Sequence, residues 1–205
     1  MAIKVLSGSS TDELTIDPVS KAARVTVYNT DGTPNGEKAT YRASTLVPLV
    51  AAVTANVPFF NIIGSASKVV TVKRITVSGM TLTAVAYHAI NVEKLSTAST
   101  GGTSTTLAAV PLDSSNPAPT AVVKAYTAAP TKGTLIGTVA SWRALWQATV
   151  AAAAGVVDYF TFNFGDMRET KGIILRGVTQ EIALIFPVVL ASAGTLSIDI
   201  EWTEE

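Results

Sequence analysis

His88 is the only imidazole in this chain of 205 residues, which contains no cysteine. Any nucleophile–histidine–acid catalysis within one chain must therefore run through it. Its surroundings favour a structural role. In Ala86-Tyr87-His88-Ala89-Ile90-Asn91-Val92 it shares one face of an alternating strand with Ala86, Ile90 and Val92. The expectation is a half-buried histidine bonded to a neighbour. No G-x-S-x-G elbow singles out a serine nucleophile. The absence of cysteine excludes disulfides, thiolate–zinc sites, iron–sulfur clusters and cysteine nucleophiles, and a lone histidine excludes a multi-histidine metal site within one chain.

Two carboxylates at a set separation suffice for glycoside hydrolysis. Asp158, Asp166, Glu169 and Glu181 lie near strand ends or loops and are candidates for such a pair, against the plainer reading of solvated loop charges. Asp199 and Glu201 sit on the polar face of an alternating strand, so they should face solvent or a partner. The tail Glu201 to Glu205 carries three acids, and is expected to be solvated rather than matched to a partner's basic patch. Gly101-Gly102-Thr103-Ser104-Thr105 lacks the glycine spacing and the lysine of a phosphate-binding loop. Asp31-Gly32 and Asn35-Gly36 read as turns, because the acidic ligand spacing of a calcium loop is missing. Trp142 and Trp146 could stack on a sugar, but a place in the core or at an interface is favoured. No catalytic, cofactor-binding or metal-ligating residue is expected.

These side chains are carried by segments that alternate every second residue. Leu196-Ser197-Ile198-Asp199-Ile200-Glu201-Trp202 puts Leu, Ile, Ile and Trp on one face and Ser, Asp and Glu on the other. Phe160, Phe162 and Phe164 alternate with Tyr159, Thr161 and Asn163 in the same way. Val69 to Val77 is rich in β-branched residues, with a phase that blurs at Lys73-Arg74 as a bulge would make it. Val122 to Thr127, Leu135 to Val139 and Ile173 to Leu175 are shorter candidates. Glu181 to Leu190 reads as a strand buried on both faces, with Pro187 favouring an edge or bulge. Turn-rich stretches fall at Ser78-Gly79, Ser96 to Thr106, Pro111 to Thr120, Ala129 to Gly133 and Gly165 to Gly172. Between Ser141 and Gly155 a helix and a strand fit about equally. Ala23 to Tyr28 is a short strand with long polar flanks, which cannot bury itself and should add to a neighbouring sheet. The chain therefore divides into an extension, 1–50, and a body, 51–205.

Composition narrows the partners. Fifteen Lys and Arg balance fifteen Asp and Glu, and charged residues make up only 15% of the chain, against roughly a quarter in soluble domains. A net charge of zero disfavours non-specific nucleic-acid binding and electrostatic attachment to an anionic membrane. It also removes the self-repulsion that keeps copies apart. The apolar stretch Leu46 to Ile63 is broken by Pro48, Asn56 and Pro58, and Ala144 to Phe162 by Gln147, Gly155 and Asp158, so neither reads as a membrane span. Met1 to Ser10 is too short in apolar residues for a signal peptide. A soluble chain made in a reducing compartment is expected. The chain holds 30 Ala, 28 Thr and 24 Val, about two-fifths of its residues, and with dense turns this favours an all-β, antiparallel sandwich or barrel.

Several stretches resemble virion proteins of tailed bacteriophages. They include Thr11 to Asp17, Ser20 to Tyr28 with Asp31-Gly32, Lys73 to Gly79, Val92 to Ala98, Ala109 to Ala118, Leu175 to Gln180 and Gly194 to Glu205. The resemblance implies a non-enzymatic head decoration or other accessory capsid or tail protein, with a strand rather than a helix at Trp142 to Gln147. The fold expected is an antiparallel β-sandwich, jelly-roll-like, with an extended N-terminal arm. The partners expected are further copies of the chain, as a homo-oligomer and specifically a trimer, and a major capsid or other virion protein, with no nucleic acid and no membrane. Assembly would take place in the cytoplasm of the host bacterium. Docking is assigned to Arg24, Val25, Val27 and Tyr28 of the arm and to Trp142 and Trp146 of the body. A tail-associated or host-surface glycan-binding module using the two tryptophans is the second expectation, and a glycan-cleaving enzyme using two loop carboxylates the third.

Overall fold

A computed structural model describes residues 15–16, 23–24, 38–49, 54–81, 86–146, 159–165, 171–190 and 193–205. The chain forms two compact units, Met1–Lys38 and Ala39–Glu205. In the first, β1 (Thr15–Ile16) pairs antiparallel with β2 (Ala23–Arg24). The second begins with β3 (Ala39–Leu49), β4 (Pro58–Ile63), β5 (Val69–Thr81) and β6 (Ala86–Leu95). It continues with β7 (Thr103–Thr106), β8 (Val110–Pro111), β9 (Val122–Ala128) and β10 (Leu135–Trp146). It ends with β11 (Tyr159–Asn163), β12 (Ile173–Arg176), β13 (Glu181–Ile185) and β14 (Gly194–Glu204). No helix occurs among the described residues.

Among the described residues, twelve strands make two antiparallel sheets. Sheet I has the order β10-β6-β13-β4-β9-β7, and sheet II the order β11-β5-β14-β3-β8, with β12 also on β5. Their inner faces share one core, which includes Phe60, Ile62, Val92 and Leu184 from sheet I and Tyr41, Val77, Ile198 and Trp202 from sheet II. This is a β-sandwich. Residues 39–49, placed in the extension by sequence, form β3 and pair along their whole length with β14, so the body starts at Ala39.

The strand pattern follows from burial. Along β14, Leu196, Ile198, Ile200 and Trp202 are buried, while Ser197, Asp199 and Glu201 face outward. In β5, Val70 and Val72 are buried, then Ile75 and Val77, an odd-spaced change of phase. The register against β14 jumps from Glu201↔Arg74 to Trp202↔Val72, which leaves Lys73 as the extra residue of a bulge. The bulge keeps both apolar sets in the core. It also divides β5 between two edge partners, β12 on 69–72 and β11 on 74–78.

Ser141 to Trp146 resolves as strand, and continues Leu135 to Val139 as one edge strand with two register shifts. Residues 147–155 lie outside the described residues. Trp142 stacks on Phe160 with centroids 4.9 Å apart, so an aromatic contact closes the side of the sandwich between β10 and β11. Ser78-Gly79 is no turn but the interior of β5. A Cβ at Gly79 would lie 2.6 Å from Leu196 Cδ2 and 2.8 Å from Trp146 Cε2. The glycine therefore makes room for an indole reaching across from sheet I. Glu181 to Ile185 is buried throughout as expected for a central strand, but the strand stops before Pro187.

Candidate functional site

His88 lies deeper than its sequence implied. It is 2% exposed, 4.6 Å from the Trp146 ring and 6.5 Å from Phe186, and its Nε2 has no hydrogen-bond partner among the described residues. Its ring contacts among the described residues are aromatic, Trp146 and Phe186. Burial holds the imidazole below its ordinary value of about 6.5. A lowered value means the unfolded chain binds the proton first. Its stabilising contribution is thus complete above about pH 6.5 and is lost as pH falls from there through the folded-state value. The urea midpoint of the wild type is expected to decline between pH 7 and 5.5. In His88→Phe that decline should be weaker, and equal slopes would reject the assignment.

Of the four loop carboxylates, Asp158, Asp166 and Glu169 lie outside the described residues. Glu181, expected at a solvated position, is fully buried on the outer side of sheet I. Its Oε2 accepts from Asn61 Nδ2 at 3.0 Å and Ser99 N at 2.8 Å, and its Oε1 from Ser99 Oγ at 2.6 Å. Ser99 Oγ also accepts from Gly133 N at 3.2 Å, and Lys132 Nζ reaches Glu93 Oε2 at 2.6 Å. The loops that follow β6 and β9 are thus strapped over a small second core of Leu95, Ala183 and Ile185. With its oxygens committed to these donors and no solvent access, Glu181 is placed for holding rather than for acid–base exchange. Among the described residues no three of His, Cys, Asp and Glu gather as a metal site.

Of the three acids in the tail, Glu205 is exposed and Glu201 faces outward, but Glu204 is not solvated. Glu204 is 1% exposed and accepts from Thr120 N, Thr120 Oγ1, Ala121 N and Trp202 Nε1. Burial by itself would raise this carboxyl, but these donors outweigh it and hold the group below the ordinary glutamate range.

The assigned docking residues fall in both units. Arg24 pairs with Thr15 in the first unit, and Val25, Val27 and Tyr28 lie outside the described residues. Trp142 and Trp146 are on the inward face of β10. Trp146 is 1% exposed, in contact with His88 and Phe186, so its ring is no stacking platform for a sugar, while Trp142 is half-buried with its ring stacked on Phe160. Their four-residue spacing in a strand sends both rings to the same, inward side.

Alternation turns Asp199 and Glu201 toward solvent or a partner, but it does not assemble the outer face of sheet II around them. Cross-strand register aligns Tyr159, Ser78, Ser197 and Leu46 in one row, and Thr161, Thr76, Asp199 and Ser44 in the next. The third row is Asn163, Arg74, Glu201 and Arg42. Tyr159 and Leu46 are the most exposed large apolar side chains among the described residues, 71% and 69%, at opposite ends of their row. Arg74 pairs with Glu201 at 2.7 Å and Arg42 with Asp199 at 3.6 Å, while Ser44 donates to Asp199 and Thr76 bonds Thr161 at 3.1 Å. Alternation in 159–163 and 196–202 marks each strand's outer side, but only register puts the rows together. No protein-family model, curated protein or solved structure matches this chain.

Proposed function

We propose that this chain is a non-enzymatic virion structural protein, a capsid decoration protein of a tailed bacteriophage whose body is a jelly roll. One observation carries the reading. Setting aside β7, β8, β9 and the short β12, the eight remaining body strands run β3-β14-β5-β11 in one sheet and β4-β13-β6-β10 in the other. Numbered one to eight along the chain, these orders are 1-8-3-6 and 2-7-4-5, two interleaved Greek keys. The architecture recurs in capsid and lectin domains, so by itself it is an analogy of fold. The likeness of the sequence to phage virion proteins selects the capsid role, as do a low charge content and a side-chain set committed to packing.

In this reading the N-terminal unit docks the protein on the capsid, the body bridges neighbouring capsid subunits, and copies associate as a trimer. Deletion of residues 1–28 is expected to abolish binding to undecorated particles, measured by co-sedimentation, while the melting temperature of the body stays within a few degrees of wild type. Full occupancy by the truncated protein would show that the docking element lies elsewhere.

A further inference from the structure

The outer face of sheet II is self-complementary, and we propose that it is a two-fold contact between copies of this chain. A two-fold axis parallel to the strands, set over the seam between β5 and β14, brings β5 of one copy opposite β14 of the other. The same operation brings β11 opposite β3. Row by row the partners match. Tyr159 meets Leu46, the apolar ends of one row closing on each other, with Ser78 over Ser197 between them as a floor small enough to permit the approach. Arg74 meets Glu201 and Glu201 meets Arg74, so the charged row pairs twice with opposite signs. Thr76 offers its hydroxyl to Asp199. No like charges face each other across this axis.

Size fits a weak, isologous association. A further row of Met80, Thr195 and Pro48 continues the face on β5, β14 and β3, and with strands about 4.8 Å apart and rows about 7 Å apart the face covers roughly 500 Å² per copy. Together that is about 1,000 Å², at the lower limit for a specific interface. Aligned strand directions are also the normal way for two sheets to stack. The inference does not rest on the virion reading, and a two-fold contact is distinct from the three-fold association proposed with it.

Sedimentation velocity on the full chain tests the contact through a charge exchange. Wild type is expected to gain mass above its smallest species as concentration rises to about 1 mM, with affinity in the micromolar range or weaker. Arg74→Glu and Glu201→Arg, each alone, bring like charges together twice and should stay at the smallest species. An equimolar mixture of the two variants should associate again, because the new carboxylate at 74 meets the new guanidinium at 201 and the untouched Glu201 meets the untouched Arg74. Loss of fold in either variant cannot produce that recovery. The contact is overturned if wild type shows no association, if either variant alone associates like wild type, or if the mixture does not recover. The mass of the smallest species reports separately on the trimer.

Discussion

Replacing Glu181 with alanine is expected to cost the body about 3–4 kcal/mol. The side chain is fully buried and the loss orphans three donor groups at once: Asn61 Nδ2, Ser99 N and Ser99 Oγ. Asn61 keeps a second acceptor in Tyr126 Oη at 3.2 Å, but Ser99 N has no other among the described residues, and Ser99 Oγ is also the acceptor that holds Gly133 N. The damage therefore spreads from a central strand to both strapped loops. For a protein of this size the cost corresponds to a fall in melting temperature on the order of 10 °C. Glu181→Gln separates hydrogen bonding from volume. Its amide oxygen can serve Asn61 Nδ2 and Ser99 N while its NH₂ donates to Ser99 Oγ, so a cost of about 1 kcal/mol is expected. Equal losses for alanine and glutamine, by urea denaturation, would mean that the strap does not depend on these bonds.

The contrast between what was legible and what was not follows from the range of the determinants. The alternation of β14 and the phase slip at Lys73 are local, since a two-residue period meets a core on one side only, and both could be read from the residues. β3 hid because its inward residues include Ala39, Ala43 and Thr45, too small to mark a face, and its partner β14 lies some 150 residues away. Gly79 reads as a turn because a glycine's local meaning is punctuation. Its actual cause is the Trp146 ring on the opposite sheet. The buried acids failed for the same reason. A glutamate in sequence carries the default of solvation, and donors brought in mostly from more than 80 positions away reverse it. The self-complementary face needed four strands in register before Tyr159 and Leu46 could be seen as the two ends of one row.

Removing the Glu204 carboxylate is the second large effect expected, about 3 kcal/mol for Glu204→Ala. The group lies at the end of β14 and accepts from Thr120 N, Thr120 Oγ1 and Ala121 N at the entry to β9, so it fastens the last strand of sheet II to the inserted segment of sheet I. It also accepts from Trp202 Nε1 at 3.0 Å, whose ring is fully buried against Tyr41. Alanine would leave the indole N–H and two backbone N–H groups without this acceptor. Ser65 Oγ donates its hydrogen to Thr120 Oγ1 at 2.7 Å and so extends the same chain, and it accepts in turn from Ser67 N and Lys68 N. Because the folded carboxyl is held below its ordinary value, its contribution is complete above about pH 4.3 and is lost as pH falls through the folded value. Acid should therefore destabilise wild type in two successive windows, the upper set by His88 and the lower by Glu204. Glu204→Gln is expected to be less stable than wild type at pH 7 and to lose less on further acidification below about pH 4.3, with the His88 window unchanged. A Glu204→Gln profile parallel to wild type below pH 4.3 would assign the lower window to other carboxylates.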